Sequence, residues 1–225
     1  MDIHKPKAVH DWRELLDEIV VIVIGVLIAL AAEQAVEMLR WRHEVEAERS
    51  ALLAEARRNL GAAAYRQGQQ ACIARRLDEI AVVFDRKAAG RPLGLKRPVG
   101  KPPIDYESRG TWQIAVAGQA LAHMTLKEKL DFSDAFDTYT GFADLRLAED
   151  AVWIQLQGLD LAADLTESDW TRLHEAWTRA RSYSDRMSRL TLPYLFRHAA
   201  LGQKSDPVDA RPLQSAMGAF CAPLI

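Results

Sequence analysis

The chain has 225 residues, of which 49% are hydrophobic and 27% are charged, with a formal net charge of −2. These values are typical of a globular protein and leave room for one ordinary domain with additional segments. Without an excess of positive charge, the sequence does not indicate a nucleic-acid partner. Its two cysteines, Cys72 and Cys221, lack the spacing of a CxxC pair or a metal site. We expect them to be buried free thiols or, if the domain is exported, one disulfide.

The first predicted elements are a tail at residues 1–10 and a transmembrane helix with interfacial flanks at residues 11–41. Ile19–Ala32 contains fourteen consecutive apolar or glycine residues, about 21 Å of helix against a hydrocarbon core of about 30 Å. The flanks favour a span, because Trp12 and Trp41 are 29 residues apart, about the thickness of a bilayer with its headgroups. Tryptophans beside arginines are typical interfacial anchors. The predicted anchors are Trp12, Arg13, Arg40, Trp41 and Arg42.

Two other interpretations of this segment compete with the span: a cleaved signal peptide and a buried core helix. Ala29-Leu30-Ala31 fits a cleavage site, but the residues before the apolar run are net acidic, whereas a signal peptide begins with positive charge. Helical periodicity also continues through that site, and Asp11 with Glu14 forms a potential capping box at the helix start. We therefore favour an uncleaved span. Lys and Arg are balanced on its two sides, so only the short N-terminal tail favours a cytoplasmic N-terminus and an external body.

The span carries one face suited to helix–helix contact. Gly25 and Ala29 form a small-xxx-small pair, and Ala32 falls on the same helical face. In a bilayer such a face lets two helix backbones approach closely. Glu33 and Gln34 follow at the far edge of the apolar run, where they are expected either to hydrogen-bond to a neighbouring helix or to lie in a solvated boundary.

Residues 42–88 are predicted to be a long helical extension of the span. No proline occurs between Pro6 and Pro92, so residues 12 to about 88 are expected to be one helix or two stacked helices that bend near Gly61 or Gly68. The following segment, 89–107, is rich in proline, glycine and basic residues and is predicted to be a loop. Its charge suits an anion or a lipid headgroup, but we interpret it as a solvated linker.

Residues 108–202 are predicted to form a helical bundle. Apolar periodicity predicts helices from Thr111 to Met124, from a capping box at Thr125 to about Leu165, and from Thr166 or Ser168 to Gly202. Residues 203–225 are predicted to be an extended C-terminal tail that packs back through Phe220 and Cys221. The predicted fold class is therefore all-α, with an N-terminal transmembrane helix continuing into a long helix that packs in an antiparallel bundle.

Motifs for catalysis or metal binding are weak. Asp131, Asp134 and Asp137 share a helix face but lack the alternating ligands and glycine of a calcium loop. His174-Glu175 is half of a zinc-protease motif without its second histidine. We therefore predict no catalytic residue, no metal site and no cofactor. The segment in which a ligand pocket is most plausible contains Trp112, Gln113, Gln119 and His123.

The N-terminal third resembles a family of uncharacterised single-span proteins of proteobacteria. The matching parts are the IHKPK opening, WRELL followed by EI, GVLIAL followed by AEQ, and the WRHEV stretch, together covering residues 3 to about 49. Asp11 stands where the family pattern has a glycine. The resemblance implies a retained, single-pass protein of the bacterial inner membrane and implies no activity.

The functional expectation that follows is a non-enzymatic scaffold or accessory protein that acts by helix–helix association. Its expected partners are the lipid bilayer and either a second copy of the chain or another membrane protein. The alternative is a ligand-sensing helical bundle tethered to the membrane, with its pocket beside the Trp112–Met124 segment. An enzyme is the third and least favoured class.

Overall fold

A computed structural model of the protein describes residues 12–105, 108–206 and 211–225. The tail at 1–10 and the capping role of Asp11 therefore lie outside the described residues. Within the described ranges the chain forms α-helices, short 3₁₀ and π-helical turns and extended connections, without a strand. This confirms the all-α fold class.

The first two helices stack end to end. Helix α1 runs from Trp12 to Gly68 and α2 from Gln70 to Ala88, so the interruption between them falls directly after Gly68 and not at Gly61. The described side chains of residues 15–39 are all exposed, and the most apolar window of α1 has a mean hydropathy of 2.7 and is 0% buried. By length and composition this helix could cross a membrane. A buried core helix does not fit, because no other part of the described chain covers it.

The segment after α2 returns along the bundle instead of leaving it. Residues 89–105 and 108–109, here called the strap, run antiparallel to α2 and then to α1. The Gln69 side-chain amide donates to the Pro103 carbonyl at 2.7 Å, and Val99 is fully buried. The interpretation of this segment as a solvated linker is therefore wrong, since part of its backbone and the side chains of Val99 and Pro102 pack in the interior.

Helix α3 spans Gly110–Ala117, and a 3₁₀ turn follows at Ala120–His123. The sequence predicted a single helix here, but Gly118 adopts an extended conformation and divides it. Helix α4, Leu126–Leu156, begins at the predicted capping box of Thr125. It ends in a 3₁₀ segment at Gln157–Asp164.

Helix α5, Glu167–Arg186, begins with a second capping box, formed by Thr166 and Asp169. It continues through π-helical turns on both sides of the short helix α6, Leu192–Tyr194. Pro193 therefore does not end the helix, because wider turns accommodate a residue that lacks a backbone donor. The helical run ends at Ala199, close to the predicted stop at Gly202. Leu201 and Gly202 both have a positive φ, 52° and 72°, which glycine adopts without strain.

The order of contacts defines the directions of the helices. In order of residue number along α1, Arg49 pairs with Glu128, Ala56 accepts from Tyr139, and Arg66 pairs with Glu149. Since both series ascend, α4 runs parallel to α1, whereas the Tyr139–Ala199 and Gln155–Arg179 contacts make α5 and its continuation antiparallel to α4. The sequence predicted only antiparallel packing. The parallel pair arises because the strap first carries the chain back to the end of the bundle nearest the apolar part of α1, here called the proximal end.

Two apolar cores fill the bundle. The proximal core contains residues such as Leu52, Leu60, Phe136, Phe142 and Leu195. The distal core contains residues such as Ile73, Ile80, Trp153, Leu173 and Phe220.

A buried polar layer lies beside the break between α1 and α2. In it the Arg66 guanidinium donates to both Glu149 carboxylate oxygens at 2.6 and 3.0 Å. The Arg146 guanidinium pairs with the same carboxylate at 2.6 Å. All three side chains are nearly inaccessible to solvent.

The C-terminal segment contains a helix where an extended tail was predicted. Helix α7 spans Arg211–Cys221, and a disulfide joins Cys72 to Cys221. The expected packing through Phe220 is confirmed, because this side chain is buried in the distal core. The Arg76 guanidinium donates to the carbonyls of Phe220 and Ala222 at 2.5 and 2.7 Å, and its burial lowers the pKa of Arg76.

Candidate functional site

The described surface has an open groove of about 710 Å³ beside α1, at the proximal end of the bundle. It extends along α1 from the end of the apolar run, and the 3₁₀ turn after α3 approaches it from the side. Cationic, acidic and apolar side chains alternate along it. The lining residues are Gln34, Glu37, Met38, Trp41, Arg42, Val45, Glu46, Arg49 and His123.

The groove brings an expected membrane anchor into contact with a residue of the predicted pocket. The indole of Trp41 and the imidazole of His123 stack with ring centroids 3.9 Å apart and an interplanar angle of 20°. On α1 itself, the Arg40 guanidinium lies 4.8 Å from the Trp41 ring centroid and pairs with Glu44 at 3.3 Å. The 3₁₀ turn is therefore held against α1 at the level of the expected anchors Arg40, Trp41 and Arg42.

Glu128, in the first turn of α4, holds the groove residue Arg49 in place. Glu128 accepts from the Arg49 guanidinium at 2.6 and 3.0 Å and from the backbone N–H of Thr125 at 3.0 Å. Bonds from Thr125 and from Arg49 lower the pKa of Glu128, and the bond to Glu128 raises the pKa of Arg49. One side chain thus caps α4 and ties it to α1.

Replacing Glu128 with alanine is expected to lower the free energy of unfolding by about 1–2 kcal/mol near neutral pH, since it removes a helix cap and a partly buried ion pair. The folded-state pKa lies below the ordinary 4.5. The contribution is therefore fully present above about pH 4.5 and is lost as pH falls through the folded-state value. Denaturant unfolding in micelles at several pH values measures this difference. Asp137→Ala, on the exposed face of α4, is the matched control and should change stability by less than about 0.5 kcal/mol at every pH.

A fully buried carboxylate on α1 positions α3. Glu55, which is fully buried on α1, accepts from the backbone N–H groups of Thr111 and Trp112 at 3.1 and 3.0 Å. It also accepts from the Ser108 hydroxyl at 2.7 Å. A negative charge at the first turn of a helix is favourable because four N–H groups there lack helical partners. The first turn of α3 therefore lies beside Glu55, and the chain continues from there towards Trp41.

The predicted ligand pocket is not formed by its four residues together. Trp112 stacks on Phe136 with ring centroids 5.2 Å apart and is half-buried against the proximal core. Gln113 and Gln119 are exposed, whereas His123 alone of the four lines the groove. The glycine that divides α3 from the 3₁₀ turn separates these side chains.

The expected contact face of the span is free in the described structure. Gly25, Ala29, Ala32, Glu33 and Gln34 are all exposed. A Cβ atom added at Gly25 would meet nothing within 4 Å. Of the predicted anchors, Trp12, Arg13, Arg40 and Arg42 are exposed and Trp41 is half-buried.

The buried charges were not predicted from the sequence, although a signal was present. The apolar stripe of α1 includes Leu60 and Ala63, and Arg66 is the next position at a three-residue step. In α4, Glu149 similarly lies between Leu145 and Val152, four residues after one and three before the other. A charge at a core position of a helix indicates a buried partner.

Comparison of this chain with family models, with curated proteins and with solved structures finds no match.

Proposed function

We propose that this protein is a non-enzymatic scaffold or accessory protein anchored by a single span in the bacterial inner membrane, acting through helix–helix association. The observation that carries the proposal is the continuity of α1. The same helix is exposed and apolar over residues 19–32, and Leu52, Ala56 and Leu60 on it are buried in the proximal core. No break separates the apolar part from the packed part.

This continuity has a mechanical consequence. A helix of 57 residues is about 85 Å long, and bending an α-helix sharply requires a proline, a π turn or a similar defect. A neighbour that contacts the apolar part of α1 therefore also determines the orientation of the bundle. That is the property expected of a scaffold.

The Gly25, Ala29 and Ala32 face is the proposed contact, with Glu33 and Gln34 as polar groups at its end. Without a hydrophobic driving force between helices in lipid, association depends on close backbone packing and interhelical hydrogen bonds. The small residues allow close backbone packing, and the Gln34 amide provides donors for interhelical hydrogen bonds.

The proposed location of the bundle is the periplasm. The disulfide between Cys72 and Cys221 supports it, because disulfides persist in oxidising compartments and are rare in the cytosol. The resemblance of residues 3 to about 49 to single-span proteobacterial proteins supports the inner membrane.

We expect a Gly25→Cys variant to form crosslinked dimers in native membranes under mild oxidation, because the proposed face would bring two copies of residue 25 together. Gly25 accepts a side chain without a clash within its own chain, and the two native cysteines are already paired. Non-reducing gel electrophoresis measures the dimer fraction.

Leu27→Cys is the matched control. Leu27 is equally apolar and exposed, but two residues rotate the helix by about 200°, so it lies opposite Gly25. An adduct of Gly25→Cys with a different membrane protein would support the accessory form of the proposal. Equal crosslinking of the two variants, or none at either, would contradict the proposed face.

A ligand-sensing bundle is the second candidate, and the groove at the proximal end favours it. The Trp41 and His123 rings with the nearby Arg42 and Glu46 side chains form the mixture of aromatic and charged groups that binds small ligands. A thermal-shift screen of the full chain in micelles tests this candidate. A ligand that raises the unfolding temperature of the wild type but not of His123→Ala would support it, and uniform absence of shifts would argue against it.

A further inference from the structure

The segment that approaches the groove has an unusual surface for a water-exposed part of a protein. From Gly110 to Ala122 the sequence contains no charged residue and no histidine. The side chains of Ile114 and Val116 are 71% and 57% exposed, and Leu126, just beyond the 3₁₀ turn, is 71% exposed. A short helix at a water surface normally presents polar residues there, so this segment indicates a different environment. We call residues 110–126 the α3–α4 corner.

The contacts with α1 define the position of the corner along the axis of that helix. Glu55 binds the first N–H groups of α3, and Trp41 stacks on His123 at the end of the 3₁₀ turn. Fourteen residues separate Glu55 from Trp41 on α1, which is about 21 Å of helix. The chain therefore descends about 21 Å along α1 between residues 111 and 123, towards the apolar run.

Trp41 lies close to the height at which a bilayer would end. The run Ile19–Ala32 provides about 21 Å of the about 30 Å hydrocarbon core. The remaining length is available in apolar side chains that flank it, among which Val36, Met38 and Leu39 are more than half exposed. Trp41 follows directly, at the headgroup level, where tryptophan is enriched. The His123 ring that stacks on it is at the same level.

The charges around the corner suit a phospholipid surface. Lys127 and Lys129 follow Leu126, and the Lys129 ammonium donates to the Ala122 carbonyl at 2.8 Å. The carboxylates nearest to Leu126 are paired, Glu128 with Arg49 and Asp131 with Lys127. On the α1 side of the groove Glu46 also pairs with Arg49, and Glu37 accepts from the Trp41 indole N–H. Long basic side chains beside exposed apolar ones can place apolar atoms among acyl chains and ammonium groups among phosphates.

We infer that the α3–α4 corner rests on the bilayer surface, with Leu126 and the 3₁₀ turn among the phospholipid headgroups. This inference rests on the proposed function, in which α1 spans the membrane. In this arrangement the bundle contacts lipid at the corner as well as through the span. The second contact restricts the tilt of α1, whereas the tilt of a span without such a contact is set by neighbouring helices and interfacial anchors.

Site-specific fluorescence quenching tests the inference on the full chain. Leu126→Cys, Leu161→Cys and Leu27→Cys are each labelled with a small fluorophore and reconstituted into vesicles of phosphatidylethanolamine and phosphatidylglycerol. Leu161 is the matched control, because it is 66% exposed but lies in the distal 3₁₀ segment, where Asp160 binds Val99. The native cysteines are paired, so the label reports only the introduced position.

A nitroxide at the headgroup should quench the Leu126 label severalfold more strongly than the Leu161 label, and aqueous iodide should do the reverse. Iodide quenching of both labels alike would overturn the inference, since it would place the corner in water. Protection of Leu126 from both quenchers would overturn it as well, because a protein would then cover the corner. The Leu27 label distinguishes failure of this inference from failure of the proposed span. If an acyl-chain nitroxide quenches the Leu27 label while the Leu126 label stays in water, the span is supported and only the corner contact is contradicted. If the nitroxide does not quench the Leu27 label, the span and the corner contact are both contradicted.

Discussion

Replacing Glu149 with leucine is expected to lower the free energy of unfolding by about 3–5 kcal/mol. The substitution removes the carboxylate shared by Arg66 and Arg146, whose side chains are 1% and 3% exposed. Two guanidinium groups would then lie in the interior without the charge that compensates them. Denaturant unfolding of the micelle-bound protein, followed by tryptophan fluorescence, measures the loss.

Two further variants identify the cause. Asp131→Leu removes a carboxylate from the same helix, but its ion pair with Lys127 is largely exposed, so we expect a change below about 1 kcal/mol. A triple variant, Glu149→Leu with Arg66→Met and Arg146→Met, should recover most of the lost stability. Apolar residues of similar volume often replace a buried ion pair or triad without loss of stability. If Glu149→Leu and Asp131→Leu were equally stable, the polar layer would have no energetic role.

Replacing both Cys72 and Cys221 with serine is the second large effect, with an expected loss of about 2–5 kcal/mol. The disulfide spans 149 residues of sequence, and a loop of that length has a large closure entropy in the unfolded chain. The C-terminal segment should loosen without dissociating, because Arg76 still binds the Phe220 and Ala222 carbonyls and Glu79 still accepts from the Leu224 N–H. Proteolysis should become faster at α7 and remain unchanged in α4.

Reductant provides the control for this prediction. It should destabilise the wild type by the same amount as the double serine variant and leave the variant unchanged. The same cysteines report the compartment. In intact cells they should resist alkylation until reductant is added, as expected on the oxidising side of the membrane. Modification before reduction would place the bundle on the other side.

The helices themselves were largely predictable from local sequence. Apolar periodicity indicated α4 and α5, and the start of α4 at Thr125 follows from a pair of residues three positions apart. The interruption after Gly68 and the end of the last bundle helix close to Gly202 were expected from single glycines. Each of these features depends on interactions within one or two helical turns, which a sequence displays directly.

The candidate site was predictable only in part. Trp41 and His123 were each identified, one as an anchor and one as a pocket residue, but nothing in the sequence placed them in contact. They are 82 residues apart, and their stacking depends on the path of the strap. The solvated-linker interpretation of the strap failed for the same reason, because proline and glycine content indicates the absence of a helix but not the surface on which the segment packs.

The sequence by itself determined the helical class, most helix ends and the exposed apolar part of α1, because propensity, capping and periodicity are local properties. The tertiary structure decided the parallel direction of α4, the pairing of Arg66 with Glu149 and the bond between Cys72 and Cys221. Each of those contacts joins residues at least 79 positions apart, so it depends on how whole helices pack. The same packing brings an uncharged, exposed corner down to Trp41, where the proposed span leaves the bilayer.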